Sequence, residues 1–214
     1  MIFDATLFAY KSILPANFVP IRQINEGYFC TAGVPDAARL RTYMQGRELL
    51  FLDVESDLMF NPEKFTEVQY IADRVGPAQY GFFGVPTPPW GFDQYGIAWK
   101  AWIMQFADVL KNTDAFFPGA YLTTTDIKRY LTMIDAMVGI CREIDPKKPV
   151  YPFLWWNYAD WVAIPEAGKY MGSDNWNQMI KHTLRVADGA VIWGGYQQRW
   201  DNTADWWRIL ANYL

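Results

Sequence analysis

The sequence predicts an α/β fold in one domain spanning residues 1–214. The form expected is a small TIM-like (β/α) barrel of about seven to eight parallel strands, with one βα unit degenerate or missing near residues 18–48. Three observations predict it. Apolar extended runs alternate with longer amphipathic stretches along the chain. The run LLFLDVE is apolar up to its acids, as a parallel strand covered on both faces must be. The strand candidates outnumber the five of an open flavodoxin-like sheet, and 214 residues is near the lower limit for an eight-fold barrel. No linker, repeat or low-complexity segment divides the chain.

The elements follow in order. Ile2–Ala9 and Phe18–Ile24 are the first extended runs. Asp36 is a natural N-cap for a short helix, Asp36–Gln45, that Gly46 stops. Leu49–Glu55 is the apolar strand ending in acids. Pro62 suits the first helical position of a helix that runs to Val75, before Gly76-Pro77. Tyr80–Val85 is the next strand, and the Pro-rich loop at 86–93, which carries Trp90, reads equally as a lid flanking the groove or as a plain rigid connection. In the helix Gln94–Lys111, Trp99, Trp102, Ile103, Phe106 and Leu110 recur at helical spacing and read as core. Phe116–Leu122 is a strand. Thr124–Glu143 is the clearest helix, with Ile127, Tyr130, Leu131, Ile134, Val138 and Cys141 on one stripe. Val150–Trp156 and Gly189–Gly195 are strands, Asp174–Val186 and Ala204–Tyr213 helices.

Composition narrows the chemistry. Apolar residues make up 51% of the chain and charged ones 20%, enough for a sizeable core. The chain holds 11 Trp, 13 Tyr and 14 Phe, against 2 Cys and 1 His. A lone His182 excludes a multi-histidine metal site, and the distant Cys30 and Cys141 exclude a zinc ribbon or a disulfide framework. No metal and no cofactor are expected; His182 reads as a surface or structural residue and the cysteines as free thiols. A net charge of -4 without a long basic run argues against nucleic acid and anionic membrane as partners. No run of 18 apolar residues predicts a spanning helix. The opening MIFDATLFAYKSILPA carries Asp4 and no base before its apolar stretch, so it reads as a strand and not as a secretory signal. The expected location is cytoplasmic, or outside the cell without a classical signal.

Carboxylates are what remain, and Asp53-Val54-Glu55 is the best-placed group. Alternate strand residues share a face, so Leu49, Phe51, Asp53 and Glu55 point one way and Leu50, Leu52 and Val54 the other. In a barrel the first set points inward and leaves two acids at the C-terminal rim, where active sites of that fold lie. Acids this close repel, which favours keeping one protonated as a proton donor, and that suits glycoside hydrolysis. D-x-E is also a common tripeptide, and strand-end acids often only cap the next helix. Other strand ends add Tyr121, then Trp155, Trp156, Asn157 and Tyr158, then Trp193 with Tyr196, Gln197 and Arg199. Aromatic faces stack on sugar rings, and the polar tips bond hydroxyls; the expected partner is a polysaccharide or glycan substrate.

In order, LDVE, YGFFGVP, FFPGAYL, KPVYPFLWW and GAVIWGG resemble the barrel-strand motifs of hyaluronidase-type glycoside hydrolases. The resemblance spans roughly Leu49 to Gly195. It implies an endo-N-acetylhexosaminidase with a retaining, substrate-assisted mechanism. Glu55 would be the acid/base. Asp53 would orient the acetamido group whose carbonyl attacks the anomeric carbon. Tyr121 would contact that group, and Trp193 would line the sugar pocket, with Trp155, Asn157 and Tyr196 as further substrate contacts. Where the family carries two more tyrosines this chain has Phe83 and Phe153, and Ser56 and Asp57 replace the bulky and basic residues after D-x-E. With a negative net charge, a neutral N-acetylhexosamine glycan fits better than hyaluronan. Two other readings fit the same residues: a barrel that binds glycan without cleaving it, and a lysozyme-type barrel acting on peptidoglycan.

Overall fold

The computed structural model describes residues 1–6, 14–31, 34–46, 48–54, 62–85, 96–194 and 200–214. The strands are β1 (Ile2–Thr6), β2 (Phe18–Pro20), β3 (Arg22–Asn25), β4 (Cys30–Thr31), β5 (Val34–Pro35), β6 (Leu49–Asp53), β7 (Gln79–Phe82), β8 (Phe153–Leu154) and β9 (Ala190–Gly194). The helices are α1 (Glu26–Phe29), α2 (Ala37–Tyr43), α3 (Pro62–Val75), α4 (Gly96–Met104), α5 (Ala107–Lys111), α6 (Ile127–Ile144), α7 (Ser173–Val186) and α8 (Asp205–Ala211). The chain divides into two compact units. Met1–Pro20, Pro118–Gly139 and Val150–Leu214 form the first, Ile21–Phe117 and Ile140–Pro149 the second.

The first unit holds a four-stranded parallel sheet in the order β2-β1-β9-β8. Its register sets Ala5 beside Trp193, and Phe3 beside Val191, which in turn neighbours Phe153. These residues share one face; Asp4, Ile192 and Leu154 share the other. Helices cover the second face. α7 buries Trp176, Met179, Ile180 and Thr183, spaced as one helical stripe, and Trp176 Nε1 donates to the Trp206 carbonyl of α8 at 2.9 Å. Trp156 lies flat on Trp206, centroids 4.0 Å apart and planes 12° from parallel. On α6, the hydroxyl of fully buried Tyr130 donates to the Ala120 carbonyl. His182 ties α7 to α6: its Nε2 is 2.8 Å from Asp135 Oδ1, and Arg185 lies 3.1 Å from its Nδ1.

The second unit holds a three-stranded parallel sheet, β3-β6-β7, and an antiparallel pair, β4-β5. Leu50 and Leu52 of β6 sit beside Tyr80 and Phe82 of β7. Phe82 meets Phe65 of α3 at 4.9 Å, and Phe65 meets Phe106 at 5.2 Å, so this face carries the helix-side core. The opposite face aligns Gln23 with Phe51 and Gly81, and Asn25 with Asp53. Gly81 is there because a Cβ would lie 2.2 Å from the Ala115 carbonyl oxygen and 2.7 Å from the Phe117 ring. Gly84, at φ 77, makes the left-handed turn that follows β7. Lys148 is buried, and its ammonium donates to the Leu110 carbonyl in the last turn of α5. Burial also lowers its pKa.

The fold is thus mixed α/β with parallel sheets, and among the described residues seven strands pair parallel. Several predicted boundaries move, each for a local reason. The run Phe18–Ile24 is two strands, one pairing with β1 and the other with β6; Pro20, which has no N–H, ends β2 at the edge of its sheet. No helix separates β2 from β3, and among the described residues α1, the β4-β5 pair and α2 lie between β3 and β6. The described part of the predicted helix Gln94–Lys111, from Gly96 on, is α4 and α5. Gln105 and Phe106 bond back three residues, to Trp102 and Ile103, and this tighter turn ends α4 as Phe106 enters the core. Phe116–Leu122 makes only isolated bridges, Phe117 with Phe83, Gly119 with Phe153 and Leu122 with Tyr158, around a proline that cannot donate. α6 starts three residues late because Asp126 accepts from Arg129 N at 3.1 Å and so caps it. Among the described residues no helix is long and apolar enough to cross a membrane.

Candidate active site

Asp53 is the last residue of β6 and 3% exposed. The parallel register places Asn25 directly beside it, and Gln23 two residues earlier on the same face of β3. Gln23 Nε2 donates to Asp53 Oδ2, and Asn25 Nδ2 approaches that oxygen at 3.4 Å. Two neutral amides therefore orient the carboxylate on the face that carries Phe51 and not on the helix-covered face. The division of β6 expected from its alternation holds for Phe51 and Asp53 against Leu50 and Leu52. Glu55 lies outside the described residues, as do Tyr196 and the loop at 86–93 with Trp90.

Four aromatic rings gather in the first unit. Tyr121 lies 6.3 Å from Trp155 and 5.7 Å from Trp193, and Trp155 meets Trp193 edge-on at 5.0 Å. The structure thus brings together three of the predicted site residues. They converge because Trp155 follows β8, Trp193 sits near the end of β9, and Tyr121 follows the Gly119–Phe153 bridge, all on one sheet face. The fourth ring, Trp161, was not foreseen. It is 5.5 Å from Tyr121 and nearly parallel to Trp155, at 17° and 6.5 Å. Its only sequence signal is its place just after the WWNYAD run.

Trp156 corrects the expectation that it belongs with the other strand-end aromatics. One residue beyond Trp155, it faces the helices and packs on Trp206 and Trp176. Asn157 is 7% exposed and bridges backbone to Tyr170. The side chain of Trp99 lies outside the described residues, whereas Trp102 packs on Phe106 at 5.0 Å as a core residue should. Among the described residues no group of three His, Cys, Asp or Glu side chains is placed to hold a metal ion.

No protein-family model matches the chain, and no curated protein does. Similarity appears among solved structures. Bee venom hyaluronidase superposes over 77% of this chain and 68% of its own, at TM-score 0.48 and 16% identity. Its complex with a hyaluronic acid tetramer gives 73%, 48%, 0.46 and 18% in the same order. A GH18 chitinase from Pseudoalteromonas aurantia superposes over 83% of this chain and 65% of its own, at TM-score 0.52 and 15% identity. The likeness to the chitinase is one of fold.

Proposed function

We propose that the protein is a glycoside hydrolase acting on an N-acetylhexosamine-containing glycan. The observation that carries the reading is the buried carboxylate of Asp53, oriented by Gln23 and Asn25 at the end of an apolar parallel strand, two residues before Glu55. An acetamido N–H of the substrate donates to Asp53, which turns the acetamido carbonyl oxygen towards the anomeric carbon. Glu55 protonates the leaving oxygen as the glycosidic bond breaks and the carbonyl oxygen bonds to the anomeric carbon. The oxazolinium so formed is opened by water, which Glu55 deprotonates, and the configuration is retained. Tyr121, Trp155 and Trp193 supply ring faces and polar edges for the sugar. Asn157 and Tyr196 are further proposed contacts. Chitin, for which the fold neighbour is named, is an N-acetylhexosamine polymer.

The test is release of new reducing ends from chitin oligosaccharides, chondroitin, hyaluronan and peptidoglycan. Cleavage by the wild type, lost in Glu55→Gln and Asp53→Asn, is the expected result. Full activity in Glu55→Gln would sink the assignment. The aromatic cluster favours one second reading, a barrel that binds glycan without cleaving it. That reading predicts saturable binding with no new reducing ends from any of the four polymers.

A further inference from the structure

Trp161 is 55% exposed and yet held in place. Its ring packs edge-on against Tyr121 and near-parallel to Trp155, so two neighbours fix its orientation while the rest of it faces solvent. The loop that carries it is closed at its base. Tyr158 N donates to the Lys169 carbonyl at 2.9 Å, Gly168 N to the Tyr158 carbonyl at 3.1 Å and Met171 N to the Trp156 carbonyl at 3.1 Å. An antiparallel bridge joins Asn157 to Tyr170. Inside the loop Ala167 bonds back to Ile164 and Lys169 to Glu166. An exposed indole costs solvation, and a large apolar side chain with freedom to move would fold onto the core. Here the backbone bonds and the two rings keep it out.

We infer that Trp161 is a stacking platform for one sugar ring, extending the Tyr121–Trp155–Trp193 cluster outward by one unit of a glycan chain. The inference rests on the glycan reading above. A flat indole of fixed orientation offers its face to the axial C–H bonds of a pyranose. It loses little rotamer freedom in doing so, because packing has already removed it. Its contact with Tyr121 and Trp155 makes the surface continuous with the predicted sugar contacts, so a chain seated on those residues runs across Trp161. Short ligands that end on the inner cluster leave it uncovered.

The experiment compares N-acetylated chitobiose and chitotetraose binding by calorimetry, in a Glu55→Gln background that does not turn the probes over. The expected result is that Trp161→Ala weakens tetrasaccharide binding roughly tenfold and leaves the disaccharide unchanged, while Trp161→Phe retains most of the affinity. Unchanged tetrasaccharide affinity in Trp161→Ala overturns the inference and leaves the glycan reading standing. Equal loss for both lengths also overturns it, because Trp161 would then act by supporting the inner rings. Binding of neither probe by the background protein overturns the glycan reading for these sugars and the platform with it. Binding without any hydrolysis by the wild type removes the catalytic reading alone.

Discussion

Asn25 stands directly opposite Asp53 in the parallel register of β3 and β6, with its amide nitrogen 3.4 Å from Asp53 Oδ2. Together with Gln23 it converts a strand-end acid into a carboxylate of fixed direction. The proposed chemistry needs that direction, because the acetamido group must be held with its carbonyl under the anomeric carbon.

The acid pair is the first thing to test. Glu55→Gln removes the proposed proton donor and should lower kcat on an N-acetylhexosamine polymer by about 10² to 10⁴-fold, the range for general acid–base catalysis. Asp53→Asn keeps the shape and loses the charge, and should also lower kcat more than it raises KM. Initial rates of reducing-end formation check both.

Gln23→Leu deletes a donor to Asp53 while keeping the bulk of the side chain. A buried carboxyl oxygen with one fewer donor costs about 1–3 kcal/mol of stability. The expected outcome is a lower urea midpoint together with a loss of kcat of roughly tenfold from misorientation of Asp53. A change in midpoint with kcat intact would limit Gln23 to a structural part.

Trp156 and Trp193 should separate in their effects. Trp156→Ala empties the stack on Trp206 and should cost about 3–5 kcal/mol, as large aromatic truncations in a core do. Trp193 is half-buried, and Trp193→Ala should cost less stability and more oligosaccharide affinity. Urea unfolding and calorimetric titration, run on both variants, check the contrast.

The protein should lose stability in alkali. Burial pushes the Cys141 thiol above its ordinary 9.0 and the Tyr80 and Tyr130 phenols above their ordinary 10.0; Asp73, which accepts the Tyr80 hydroxyl at 2.6 Å, adds to the Tyr80 shift. With the folded value raised in each case, the unfolded chain gives up its proton first. Stability is therefore fully present below pH 9 and falls as pH rises, first through Cys141 and beyond pH 10 through the tyrosines as well. Each group contributes a slope of about 1.4 kcal/mol per pH unit, so the three reach about 4 kcal/mol per unit. Lys148 runs the other way, because burial lowers its value in the folded state and its contribution grows as pH rises towards 10.5. Urea midpoints between pH 7.5 and 11 check the decline, and Cys141→Ala should remove the part that begins at pH 9.

Much of the architecture was legible because it is local. Asp36 caps α2 through bonds to Ala38 N and Arg39 N, as its sequence position suggested. Pro62 opens α3 and Val75 ends it at the predicted residues. The stripe of α6 buries Tyr130, Ile134, Val138 and Cys141, because a 3.6-residue period can be read from one segment alone. Boundaries failed where a distant partner decided them. The break before α5 depends on Phe106 meeting Phe65, forty-one positions earlier in the chain. The splitting of Phe18–Ile24 depends on which strand each half pairs with.

The candidate site divides in the same way. By itself the sequence determined the candidates: a carboxylate pair at the end of an apolar strand, aromatic strand ends, and too few histidines and cysteines for a multi-histidine or cysteine metal site. Alternation also determined which face of β6 Asp53 would take. Tertiary structure alone decided that Gln23 and Asn25 hold Asp53, that Trp156 stacks on Trp206, and that Trp161 joins Tyr121 from a loop. The reason is physical. Strand periodicity is written into consecutive residues, whereas the partner of a hydrogen bond or a ring stack is set by sheet register and loop closure, which bring together residues far apart in the chain.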